Sequence, residues 1–232
     1  MSASAVSGSK PCCHCNHGVQ APPKKKTHRI TRIALAPFHA LEKLFKAIFH
    51  KINYARKVIV YQCSLVFNVA LNALRPNYWK WWNEIDNHII LGAEPLRNKG
   101  HFNAIKQMGV TFVLSKIENF EYKDGLLTKP VKPQSWGEAN ITLWRSPTVD
   151  GASVDHAQLW ADVQVMHAEI QRGGKIYVHC KAGQGRSAMT VIGYYMVYHG
   201  MNFDQAYAFV RSKRHQVFLN PMQKNMMRKF KP

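Results

Sequence analysis

The run "KIYVHCKAGQGRSAMTVIGYYMV", residues 175–197, constrains the fold more than any other stretch of the chain. Ile176, Tyr177 and Val178 read as the end of a buried strand, and from Ser187 onward Met189, Val191, Ile192 and Tyr195 recur at helical spacing. A strand, a short glycine-bearing loop and a helix form the unit of an α/β sheet, and the segments before it repeat the alternation. "HIILG" (88–92) reads as a strand, "HFNAIKQMG" (101–109) as a helix closed by Gly109, and "VTFVLS" (110–115) as a buried strand. A polar stretch, 116–139, leads to a further strand, "NITLW" (140–144). Loop 145–153 precedes a helix over about 154–172, and "FDQAYAFVRSKR" and "PMQKNMMRKF" read as closing helices. The predicted class is α/β: a central, mostly parallel sheet flanked by helices, with an N-terminal helical extension.

The loop between strand and helix holds a thiol, Cys180, six positions before a guanidinium, Arg186. In such sheets ligands sit beyond the carboxyl ends of the strands, where helix N-termini point inward. Gly183 and Gly185 allow successive N–H groups of Lys181, Ala182, Gly183, Gln184, Gly185 and Arg186 to converge as an anion nest. Arg186 can grip two oxygens of a phosphate with its planar fork. The same field lowers the pKa of Cys180 below the usual value of about 8.5, giving a nucleophile for phosphorus. Ser187 is placed to hydrogen-bond the sulfur as a leaving group, and His179 to order the loop rather than titrate.

Charge and cysteine usage bound the setting. The 32 Lys and Arg against 13 Asp and Glu give a net charge of +19, which attracts phosphorylated substrates, anionic membranes or nucleic acid. Five cysteines, three of them at Cys12, Cys13 and Cys15, do not form a disulfide framework and imply a reducing compartment. "CCHCNH" (12–17) could supply half of a zinc site, but a second ligand pair is not visible nearby. Residues 1–37 are expected to be a disordered basic tail. Residues 38–52 form an amphipathic helix, with Phe38, Leu41, Leu44, Phe45, Ile48, Phe49 and Ile52 on one stripe and Lys43, Lys46, His50 and Lys51 opposite. That pattern suits either packing on the domain or an anionic membrane surface, and the acid-poor flanks favour the membrane. Residues 58–74 form a second, uncharged helix. At about 26 Å it falls short of a roughly 30 Å hydrocarbon core, so it is read as buried against protein or partly interfacial. The expected division is 1–37 tail, 38–80 extension and 81–232 catalytic domain.

"VHCKAGQGRSA" resembles the signature loop of cysteine-dependent protein tyrosine and dual-specificity phosphatases. "VFNVALNAL", "WWNEIDNHIILGAEPLR", "SPTVD" and "AYAFVRSKRHQVFLNPMQ" are similar, in the same order, to segments of mitochondrial-type phosphatidylglycerophosphate phosphatases and their plant relatives. The similarity spans roughly residues 58–230. It implies that Cys180 is the nucleophile, Arg186 the phosphate clamp and Ser187 the residue assisting release. Asp150, in "SPTVDG", matches the general acid, with Asp155 as the rival carboxylate, which also suits a helix start. Asn220 matches a residue supporting the phosphate loop, though a cap before Pro221 is the alternative reading. Gln184 stands where several lipid phosphatases carry a basic residue, which argues against a multiply phosphorylated inositol head group.

These readings combine into a metal-independent, cofactor-free phosphomonoesterase. Its expected substrate is a phospholipid head group, phosphatidylglycerophosphate or a phosphoinositide, at a mitochondrial or bacterial membrane. A dual-specificity protein phosphatase and a non-catalytic phosphate-binding adaptor are the alternatives, while nucleic acid is not an expected partner. The sequence leaves the oligomeric state open.

Overall fold

The computed structural model describes residues 30–231, with side chains from residue 41 onward; the Cys12–Cys15 cluster lies outside the described residues. The two helices expected at 38–52 and 58–74 are a single one, α1 (Ile30–Leu74). The linker "NYARK" between them is polar but holds neither Gly nor Pro, so nothing in it breaks the helix. The start at Ile30 falls inside the stretch assigned to the tail, where Ala34, Leu35 and Ala36 are strong helix formers.

Contacts divide the chain into two units, Met1–Lys51 and Ile52–Pro232. In the first unit Leu41, Leu44, Phe45, Ile48 and Phe49 are exposed, and Lys46 pairs with Glu42 one turn earlier.

The second unit is built on a five-stranded sheet in the order β1-β2-β5-β3-β4. The strands are β1 (Trp82–Glu84), β2 (Ile89–Gly92), β3 (Phe112–Ser115), β4 (Thr142–Arg145) and β5 (Ile176–His179). Every pairing is parallel except β1 with β2. The strands β2, β3 and β5 are buried at every position, as expected of strands covered on both faces. On one face α4 (His156–Gln171), α5 (Arg186–Tyr198), α6 (Phe203–Lys213) and α7 (Pro221–Lys229) enclose Leu91, Leu114, Val178, Val163 and Ile192. On the other, α2 (His101–Gln107) and α3 (Pro133–Glu138) cover Ile90, Val113 and Tyr177 with Ile105 and Trp136. The second half of α1 seats Tyr61 and Leu65 against Trp81, Ala93 and Leu96. The middle strand, β5, ends at His179, so the loop that follows emerges at the centre of the sheet's carboxyl edge.

Candidate active site

The loop between β5 and α5 is held from outside by its carbonyls. Lys181 O accepts from Glu94 N at 3.2 Å, and Gln184 O from Phe218 N at 3.1 Å. Gly185 O accepts from Met189 N at 2.9 Å inside α5. Arg214, buried at the end of α6, donates to Ala182 O at 3.1 Å and Gly183 O at 2.9 Å. Across a trans peptide the N–H of the next residue points opposite to the carbonyl. With five successive carbonyls turned outward, the N–H groups of residues 182–186 turn inward. They ring a cavity of about 240 Å³ lined by Cys180, Lys181, Arg186, Asp150, Phe218 and Asn220. Of the two loop glycines only Gly183 has a positive φ, +67°, and a Cβ there would strike the Gly92 carbonyl. Gly185, at φ −113°, is in an ordinary region, so its role in shaping the nest is not conformational freedom of that kind.

Cys180 is 3% exposed. Burial alone would push its thiol pKa up. The Arg186 guanidinium, and hydrogen bonds from the Ser187 side chain (3.2 Å) and backbone, outweigh this and hold it below the ordinary value. His179, 2% exposed, is driven by burial down to about 3, against a hydrogen bond to the Cys180 backbone. It is therefore neutral at physiological pH and does not titrate there.

Arg186 is 1% exposed, and its bonds fix which edge faces the cavity. Nη1 donates to Glu121 Oε2 at 2.7 Å, Thr148 O at 3.0 Å and Lys116 O at 3.3 Å; Nη2 donates to Glu121 Oε1 at 2.9 Å. Nε has no hydrogen-bond partner, and the Asp150 carboxylate lies 3.3 Å from it, in ion-pair range but out of line. The Nε/Nη2 edge is thus left for a ligand, the bidentate geometry a phosphate requires.

Asp150 is half-exposed and also pairs with Lys181. Burial would raise its pKa, but Arg186 and Lys181 together lower it, so the free site holds an ionised carboxylate. Asp155 is occupied elsewhere: as N-cap of α4 it accepts from Ala157 N (3.0 Å) and Gln158 N (3.2 Å). Asn220 caps α7 by accepting from Gln223 N, and its Nδ2 donates to Gly151 O at 2.7 Å. Gln223 donates to Ala152 O at 2.9 Å, so the start of α7 holds the Asp150 loop rather than the phosphate loop directly.

Three groups important to this geometry escaped the sequence reading. Glu121, from the polar stretch 116–139, is fully buried against Arg186. Arg214 resembles its neighbours Arg211 and Lys213 in sequence, yet it alone of the three is buried behind the loop. Tyr61 of α1 contacts Glu94, and its hydroxyl lies 3.0 Å from Glu121 O. Burial pushes the Glu94 carboxyl pKa well up, and the hydrogen bond that Glu94 accepts from Tyr61 opposes that shift. Tyr61 of α1 thus bonds the backbone of Glu121, the residue whose carboxylate holds Arg186.

A mostly parallel sheet whose middle strand ends in this thiol-and-arginine loop defines a phosphatase of the α/β class. Residues 103–232 match the family described as "Dual specificity phosphatase, catalytic domain", and the chain belongs to it. It is 28% identical over 172 residues to the phosphatidylglycerophosphate phosphatase PTPMT2 of Arabidopsis thaliana, covering 74% of this chain and 72% of that protein. It is 29% identical to the mouse phosphatidylglycerophosphatase and protein-tyrosine phosphatase 1, over 74% of this chain and 88% of that one. The crystal structure of PTPMT1 in complex with PI(5)P superposes with a TM-score of 0.58 at 27% identity, over 65% of this chain and 94% of that chain.

Proposed function

We propose that this phosphatase hydrolyses a phospholipid phosphomonoester, of the phosphatidylglycerophosphate type, through a phosphocysteine intermediate. The observation that carries the chemistry is the ring of inward N–H groups around a buried, pKa-lowered Cys180, closed by the free edge of Arg186. The Cys180 thiolate attacks phosphorus; an S–P bond forms as the ester P–O bond breaks. Asp150 gives its proton to the departing alkoxide. Water then attacks the phosphocysteine, returning a proton to Asp150, and the sulfur leaves as a thiolate hydrogen-bonded by Ser187. Asp150 is ionised in the free site because Arg186 and Lys181 face it. A dianionic phosphate draws those cations to itself and adds its own negative charge, raising the Asp150 pKa so that it can carry the proton.

The lipid assignment draws support from the names of the relatives and from α1. Residues Leu41–Leu74 form a helix long and apolar enough to cross a membrane by length and composition. Tyr61 and Leu65 are buried against the sheet unit, which favours a helix lying along the interface rather than one surrounded by lipid. We also propose that residues 81–232 form the catalytic domain and that the helix before it is an extension attached peripherally to an anionic membrane.

The test is phosphate release from phosphatidylglycerophosphate, phosphoinositides and phosphopeptides, with Cys180→Ser as the blank. A hydroxyl is not ionised by the same loop, so the blank should be inactive while still binding phosphate. Activity of Cys180→Ser within tenfold of the parent would remove Cys180 from the reaction. Phosphopeptides surpassing every lipid tenfold or more in kcat/KM would remove the lipid.

A further inference from the structure

A second cavity, of about 400 Å³, adjoins the catalytic one and shares Asp150 and Lys181 with it. One wall is α1, which contributes Arg56, Lys57 and Val60; Phe120 and Val149 contribute apolar surface from the domain. The reaction described above uses none of these five residues.

The charges around this cavity are nearly all spoken for. Lys57 pairs with Glu118 at 3.0 Å. Glu121 is held by Arg186, and Asp150 by Lys181 and Arg186. Arg56 is exposed and has no acidic partner among the described residues. One unmatched guanidinium beside an apolar wall complements a singly charged group attached to carbon-rich chains. A second phosphomonoester, with two charges, would also face the carboxylates of Glu118 and Glu121.

We infer that this cavity receives the non-reacting half of the substrate: a glycerol-linked phosphodiester, its single charge on Arg56 and its glycerol and first acyl carbons against Val60, Phe120 and Val149. The inference rests on the lipid reading of the catalytic site and deepens it. The volume falls in the range of sites that enclose a small ligand. Because Asp150 and Lys181 border both cavities, a molecule occupying both passes directly over the proton donor. The arrangement selects a head group with one monoester and one diester over an inositol ring carrying several monoesters.

The experiment uses full-length enzyme and soluble substrates, so that binding to a bilayer plays no part. Dihexanoyl phosphatidylglycerophosphate below its micellar concentration is compared with glycerol 3-phosphate, which carries the same reacting ester without the diester. The wild type should favour the diester-bearing substrate by at least about tenfold in kcat/KM, the scale of one charge-assisted contact. Arg56→Gln should erase most of that preference through KM, with kcat on the lipid changing less than about twofold, and Arg56→Lys should restore part of it. If Arg56→Gln changes both substrates equally, or neither, the cavity does not hold the diester. If the wild type hydrolyses both without preference, the inference falls while the phosphatase reading stands. If it hydrolyses neither but turns over phosphopeptides, the lipid reading itself fails and takes the inference with it.

Discussion

Glu121→Gln tests the part of the site that sequence did not announce. Both side chains of the Glu121–Arg186 pair are about 1% exposed, and the two bonds between them are 2.7 and 2.9 Å. The amide keeps one acceptor oxygen, so one bond survives and the other becomes N–H facing N–H. Removing one partner of a buried ion pair costs about 3–5 kcal/mol, and the retained bond places this change near 3 kcal/mol. With an m-value of about 2 kcal/mol/M, the urea midpoint should fall by roughly 1.5 M. Arg186 keeps the carbonyls of Thr148 and Lys116 on Nη1, so it remains buried but loses the anchor that aims Nε and Nη2 into the cavity. Its unmatched charge then pulls it toward Asp150. A misplacement of about 1 Å in a positioning group costs on the order of 10²-fold, and kcat/KM on an aryl phosphate should fall by about that factor. Activity should be measured well below the variant's own thermal midpoint, with circular dichroism showing it folded. A folded variant within threefold of wild-type kcat/KM would show that Glu121 does not aim the clamp, and an unchanged urea midpoint would refute the buried pair.

Three further outcomes follow from the geometry. Ser187→Ala removes a hydrogen bond that lowers the Cys180 pKa, so the midpoint of iodoacetamide alkylation against pH should move upward toward an ordinary thiol; an unmoved midpoint would detach Ser187 from the sulfur. Asp150→Asn should cut alkyl phosphate hydrolysis by about 10²–10⁴-fold and nitrophenyl phosphate hydrolysis by less, because nitrophenolate leaves without a proton; equal losses would make Asp150 structural. Phe45→Ser with Phe49→Ser removes two side chains that are 75% and 62% exposed, and should weaken sedimentation with anionic vesicles by about tenfold or more while sparing soluble aryl phosphate turnover; unchanged sedimentation would remove this stripe from membrane binding.

Local order made the phosphate loop legible. Cys180, the glycines, Arg186 and Ser187 all fall within the eight positions 180–187, and strand and helix periodicities on either side fix where the loop must sit. The sheet was legible for the same reason: "HIILG", "VTFVLS" and "NITLW" are short apolar runs with clear ends, and their strands appear within two residues of those bounds. Elements without a period were not. The strand β1 is three residues long at an antiparallel edge, and α3, "PQSWGE", is too short and too mixed to show a helical face. Long-range partners were also invisible. Glu121 and Glu118 lie three positions apart in the same polar stretch, and only the folded chain shows one buried on Arg186 and the other pairing with Lys57. The polar linker at 53–57 read as a gap between helices because its surface side chains obscure the apolar stripe, although its backbone has no reason to stop.

Gln184 raised the question of where a lipid phosphatase would find cations beyond the clamp, and the structure relocates them. Gln184 lines the catalytic cavity and its carbonyl is tied to Phe218, so the tip of the loop contributes no charge. The cations near the entrance are instead Lys181, drawn toward Asp150, and Arg56 and Lys57 on α1. A loop built this way can recognise one phosphate by its N–H ring and Arg186, whatever the phosphate is attached to. On the inference above, discrimination among head groups comes from the second cavity, one wall of which is α1. Through Tyr61 the same helix also bonds Glu94 and the backbone carbonyl of Glu121, the residue whose carboxylate holds the clamp. A helix that forms a cavity wall beside the reacting centre is part of the site, so its sequence should change with the substrate more than the loop does. A truncation through residue 57 would therefore be a poor test of membrane attachment, because it would remove Arg56 and Lys57 from the cavity wall along with the apolar stripe. Surface substitutions at Phe45 and Phe49 separate the two roles, because neither residue lines a cavity beside the loop.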